Sequence, residues 1–66
     1  MRVLINGEEK QLPGSLNLND LLDRFELPSQ RVAIELNKNV VRKKDWADTP
    51  VNDGDRIEVV HFVGGG

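Results

Sequence analysis

Cysteine is absent from this 66-residue chain. That excludes a disulfide staple, a thiolate zinc site and a thiol nucleophile together. Long apolar runs are absent too. None exceeds three residues, so no segment is expected to span a membrane. The apolar stretch Val3-Leu4-Ile5 after the N-terminal Met1 and Arg2 is too short for a signal peptide, and a cytoplasmic location is the expectation. Surplus positive charge is missing: nine Lys and Arg against eleven Asp and Glu leave a formal charge of −2. That balance argues against general nucleic-acid binding, which wants a basic face. Arg42-Lys43-Lys44 with Lys38 forms a small basic cluster, but Asp45 and Asp48 follow at once, as in a solvated turn. No phosphate loop, metal-ligand spacing or acid pair at helical spacing occurs. Length excludes more. Ordering a chain costs ~1.5 kcal/mol per residue, so roughly 100 kcal/mol must be offset by a thin core. A catalytic pocket typically needs ~300 Å³ or more, which disfavours an enzyme acting alone.

What is present is ordinary globular patterning, with 38% hydrophobic residues and no linker or repeat to divide the chain. Arg2 to Ile5 alternates with Val3 and Ile5 on one face. Asn6-Gly7 is a strong hairpin signal, and Glu8 to Leu12 is the return strand, ended by Pro13-Gly14. Leu18, Leu21, Leu22 and Phe25 share one helical stripe. The pattern predicts a helix at about 18–26, capped by Asn17, with Asp20 in its first turn and Pro28 closing it. Its stripe is expected to pack on Val3, Ile5, Ile34 and Ile57. Val32, Ile34 and Leu36 alternate as a half-buried strand. Asn37-Lys38-Asn39 then turns the chain into a short strand at Val40 to Arg42. Lys43 to Asp48, around Trp46, reads as an irregular or single-turn segment. Asn52-Asp53-Gly54-Asp55 is a turn, and Ile57 to Val63 is the last strand. The order is strand, strand, helix, strand, strand, strand. One helix covers one face of such a sheet, and the other face needs polar residues or a partner.

Two features stand outside this scaffold. In the last strand Ile57 and Val59 share the face assigned to the core, which leaves Val60 and Phe62 on the uncovered face. Either a partner docks there or a second small core forms near Trp46, since a large apolar side chain left wet forgoes ~1.5–3 kcal/mol. The second feature is Gly64-Gly65-Gly66, which follows that strand with no polar spacer. It reads either as a frayed tail or as a functional one. Read as the true terminus, Gly66 carries a free α-carboxylate, ionised at neutral pH and a poor electrophile until another enzyme activates it. Glycines would let the backbone pass through a narrow channel to that enzyme's nucleotide. His61, the sole histidine, has only Ser15 and Ser29 as conceivable nucleophiles, both in turns, so a structural or tail-positioning role is expected.

The chain resembles the ThiS family of sulfur carriers over its full length. The resemblance is carried by Ile5-Asn6-Gly7, Leu18-Asn19-Asp20-Leu21-Leu22, Val32-Ala33-Ile34-Glu35-Leu36-Asn37 and Val40-Val41-Arg42. It continues in Trp46, Asp53-Gly54-Asp55 and the ending Ile57-Glu58-Val59-Val60-His61-Phe62-Val63-Gly64-Gly65-Gly66. Lys38 departs from the pattern, where many relatives have glycine. The resemblance implies an α+β, ubiquitin-like β-grasp domain over 1–63, a mixed sheet of about four to five strands with one helix on one face. A flexible glycine tail over 64–66 would follow. It implies that Gly66 is adenylated by a ThiF-type enzyme using ATP and magnesium. Sulfur, ultimately from cysteine through a desulfurase, then replaces one carboxylate oxygen. The Gly66 thiocarboxylate donates it to thiazole synthase, ThiG, for thiamine biosynthesis. No side chain of the carrier is catalytic, and no cofactor, nucleic acid or membrane is bound. A carrier for another pathway, such as the small subunit of molybdopterin synthase, shares the Gly-Gly end but is usually longer. A non-conjugating β-grasp binding module would not need a free C-terminus.

Overall fold

Two hairpins of the same design build the sheet. The computed structural model describes residues 1–62. Strands β1 (Arg2–Ile5) and β2 (Glu8–Gln11) pair antiparallel from Arg2↔Gln11 to Ile5↔Glu8. Asn6 and Gly7 form the two-residue loop, both at positive φ (50° and 82°), the backbone that matches strand twist. A short strand β3 (Leu16–Asn17) leads into helix α1 (Leu18–Arg24). Asn17 caps the helix as its sequence position suggests: its side chain accepts from the Asp20 amide at 2.8 Å. Asp20 in the first turn and Arg24 in the last complement the helix dipole.

The helix ends earlier than Pro28, and for a different reason. Glu26 takes the left-handed backbone conformation (φ 54°). Its amide donates to the Asp23 carbonyl at 3.1 Å, and the Leu27 amide reaches back to the Leu22 carbonyl at 2.8 Å. That paired closure is a Schellman motif, which satisfies the last helical carbonyls before the proline is reached.

Strand β4 (Val32–Leu36) pairs antiparallel with β5 (Asn39–Val41), the second hairpin turning on Asn37 (φ 51°) and Lys38 (φ 73°). A 3₁₀ helix (Lys43–Asp48) follows, then β6 (Pro50–Val51), a turn at Asn52 to Asp55 and β7 (Arg56–His61). Gly54 sits at φ 87° in that turn, so glycine is required there for its backbone and not for space. The main sheet runs β2-β1-β7-β4-β5, with β1 and β7 parallel and every other neighbour antiparallel. A two-residue ladder, β3 with β6, stands apart from it. Neither of its strands is foreseen in the sequence pattern, because two residues show no period.

The core lies between the sheet and α1. Leu18, Leu21 and Leu22 are buried in one cluster with Val3, Ile5, Ile34 and Ile57, as the stripe predicts. The cluster also takes in Leu12, Val32, Val51 and Trp46. Trp46 is its largest fully buried side chain, and its indole N–H donates to the Val41 carbonyl at 2.8 Å, so the one polar atom of the ring is satisfied. Phe25 reaches only the margin: it is half-buried, with the Lys10 ammonium 5.8 Å from its ring centre.

Candidate functional site

Strand β7 brings the candidate residues together because it is the middle strand of the sheet. Period-two alternation splits its side chains. Ile57 is 1% exposed beneath α1, and Val59 is half-buried on the same side. Val60 and Phe62 face away from the helix, 47% and 58% exposed, as the alternation predicts. No second small core covers them among the described residues. Trp46, the residue expected to nucleate one, belongs to the main core.

The neighbours on that open face follow from the register. Ala33 lies opposite Val60, Glu35 opposite Glu58, and Val40 opposite Glu35 on the edge strand. Val40 is the third exposed large apolar side chain, at 68%. Past the end of β7, the Phe62 amide donates to the Arg31 carbonyl at 2.7 Å and continues the pairing by one residue. Arg31 itself sits at φ 60°. This places Phe62, the last described residue, beside the start of β4.

A groove of about 350 Å³ opens at the same corner, with Ala33, Val40 and Phe62 along it and Trp46 at its inner wall. Its polar members are Ser29, Arg31, Arg42 and Lys43. No carboxylate or imidazole lines it, so it offers no general base at neutral pH to activate the Ser29 hydroxyl. His61 is exposed at the end of β7, opposite Val32. No group of three or more His, Cys, Asp or Glu able to hold a metal ion occurs among the described residues. No helix among them is long and apolar enough to cross a membrane. The glycine tail expected at Gly64, Gly65 and Gly66, and Val63 at the expected end of the last strand, lie outside the described residues.

Comparison with known proteins gives this geometry a context. The family model of the ThiS family matches residues 3–66, which takes in the glycine triplet. A crystal structure of thiamine biosynthesis protein ThiS from Geobacter metallireducens superposes with a TM-score of 0.89 at 35% identity, covering 100% of both chains. The five-stranded mixed sheet with its crossing helix is therefore the ubiquitin-like β-grasp fold. The sulfur carrier protein ThiS of Bacillus subtilis is 36% identical over 63 residues, 94% of this chain and 96% of that one. A thiazole synthase of Paramagnetospirillum magneticum is 42% identical over 66 residues, which is 100% of this chain. The chain spans 20% of that enzyme's length, so the match there is to one small part of a larger protein.

Proposed function

The chain belongs to the ThiS family, and from that premise we propose that it is a sulfur carrier, not an enzyme, in which the carboxylate of Gly66 is the working group. The observation that supports this most is the span of the family match, which runs through Gly64-Gly65-Gly66 to the last residue. In this reading the body of the domain extends through Val63, and the three glycines form a leader without side chains. A Gly66 carboxylate oxygen attacks the α-phosphorus of ATP on a ThiF-type adenylating enzyme. Pyrophosphate leaves with the magnesium, and an acyl adenylate forms. The terminal sulfur of a persulfide formed by a cysteine desulfurase then displaces AMP at the acyl carbon. A thiol attacks the resulting acyl disulfide at the donor's sulfur, forms a disulfide there and releases the thiocarboxylate. Thiazole synthase, the ThiG partner, consumes that sulfur in the cytoplasm. A thiocarboxylate suits the task because its sulfur is polarizable and remains nucleophilic at neutral pH. In this reading the carrier's side chains supply none of this chemistry.

The thiazole branch is favoured over a molybdopterin-type pathway by the relatives themselves, which are named as thiamine biosynthesis protein, sulfur carrier ThiS or thiazole synthase. The open face of β7, with Val60 and Phe62, is the proposed docking surface for the adenylating enzyme. The decisive experiment is the intact mass of the chain after incubation with the adenylating enzyme, ATP and a sulfur donor. The expected product is heavier by the replacement of one oxygen with sulfur, and tandem fragmentation places the change on Gly66. An unchanged mass, with an enzyme preparation that thiolates another carrier, would overturn the reading.

A further inference from the structure

The overall charge of −2 conceals a segregated surface. Five of the nine basic residues fall between positions 31 and 44 (Arg31, Lys38, Arg42, Lys43 and Lys44), with Glu35 the only acid among them. The other four basic residues are outnumbered by ten acids across the rest of the chain. The topology keeps this basic stretch together, because β4 and β5 are neighbours at one edge of the sheet and the 3₁₀ helix follows them in the chain; that helix also carries Asp45 and Asp48, neither of which lines the groove. None of the five cations makes an ion pair among the described residues, where the only ion pairs are Arg2–Glu9 and Lys10–Glu8 in the opposite hairpin. Lys43 is held at the groove, its ammonium 6.0 Å from the Trp46 ring centre.

Three of these cations, Arg31, Arg42 and Lys43, border the groove whose apolar side is Ala33, Val40 and Phe62. An apolar strip beside unpaired cations is a specific electrostatic shape. Uncharged partners gain nothing from the rim, and basic ones are repelled by it. We propose that this groove receives an apolar projection of the tail-activating enzyme bordered by carboxylates, with Arg42 and Lys43 as the groups that steer and orient it. The groove adjoins the Phe62–Arg31 hydrogen bond at the last described residue, so a partner seated there stands beside the start of the segment that leads to Gly66. A nucleic acid would use the same cations, but phosphates gain little from exposed Val40, and Phe62 is a single exposed ring where single-strand binding stacks successive bases on several. The proposal rests on the carrier reading and adds to it the chemistry of the partner's face.

The test is the affinity of the full-length chain for its ThiF-type adenylating enzyme at low and high salt. The variants are Arg42→Glu with Lys43→Glu together, Val40→Ser, and Arg24→Glu on the exposed face of α1 as a single-reversal control, which changes the net charge by half as much. Wild-type affinity is expected to fall with salt, since screening acts over ~10 Å at 0.1 M. The double reversal should raise Kd about tenfold at low salt and flatten the salt dependence, through slower association above all. Val40→Ser should raise Kd about threefold to tenfold at either salt. Arg24→Glu should stay within about twofold. Thermal melts of each variant separate a lost surface from a lost fold. Wild-type binding that the double reversal leaves unchanged would overturn this proposal and leave the carrier reading standing. A change in log Kd from Arg24→Glu of half the double reversal's or more would also overturn it, by showing a net-charge effect. So would retention of a single-stranded RNA, or concentration-dependent dimerisation of the chain alone, if either were abolished by the double reversal while enzyme binding persisted. Failure of the wild-type chain to bind the enzyme at any salt would sink the carrier reading and this proposal together.

Discussion

Asn6 and Asn37 hold the same position in the two hairpins, and each does more than turn the chain. The Asn6 side chain accepts from the Val59 amide at 2.8 Å, and the Asn37 side chain accepts from the Arg56 amide at 2.9 Å while donating to Asp55 at 3.0 Å. The middle strand is thus pinned from both flanking hairpins, toward opposite ends. The turns themselves are legible in the sequence, because positive φ at Asn-Gly or Asn-Lys is a local preference. The clamps are not, because their partners are 53 and 19 residues away. Asn37→Ala is expected to cost about 1–3 kcal/mol, from the loss of two exposed side-chain hydrogen bonds at ~0.5–1.5 kcal/mol each, as measured by urea unfolding. Lys38 is the counter-case. At φ 73° a side chain costs ~1–2 kcal/mol, whereas glycine adds ~0.4–1 kcal/mol of unfolded-state entropy. Strain relief wins, so Lys38→Gly should stabilise the domain by about 0.5–1 kcal/mol, seen as a raised urea midpoint at unchanged slope. A lower midpoint would show that the lysine earns its place by contacts.

Helix α1 shows how far a stripe can be read and where it stops. Its start and its buried face follow from Asn17 and from the spacing of Leu18, Leu21 and Leu22, since caps and 3.6-residue periodicity are written in neighbouring residues. Its end is not so written. The left-handed closing residue is Glu26, where glycine would have been the recognisable signal, so Pro28 stands out in the sequence although the hydrogen bonds close two residues earlier. The missing members of the core have the same explanation. Leu12, Val51 and Trp46 lie in or beside segments too short to show a period, and only the fold brings them under α1. Leu22 is 2% exposed in the middle of that cluster. Leu22→Ala removes its methyl groups and leaves a cavity the helix cannot fill. The expected loss is about 2–5 kcal/mol, a large share of the stability of a domain this small. Chemical denaturation reads it directly, and a variant as stable as the parent would reject the assignment of Leu22 to the core.

At the scale of the whole molecule one sheet face is closed by the helix, and the other, the face proposed for docking, carries exposed Val40, Val60 and Phe62. That division is legible in strict alternation along the last strand. The cationic groove is not, because it forms only where β4, β5 and the end of β7 converge. Phe62→Ala is accordingly expected to shift stability by no more than about 0.5 kcal/mol, the usual range for an exposed site, while weakening binding to the adenylating enzyme. Unchanged binding with a melted domain would make Phe62 a core residue instead. The last consequence concerns the terminus. In the carrier reading reactivity lies in the backbone carboxylate of Gly66. That reading needs the Gly66 carboxylate free to accept an adenylate and then sulfur. It also gives the three glycines a use, as a leader without side chains able to pass a narrow channel. Adding one residue after Gly66 should therefore abolish sulfur transfer while the melting curve stays put. Gly65→Val should lower the rate of adenylation by at least about tenfold, through a clash that binding of the body does not sense. Both are read by ATP–pyrophosphate exchange and intact mass on the same preparation. An extended chain that still yields thiocarboxylate, without being trimmed back to Gly66, would show that the sulfur is carried somewhere else.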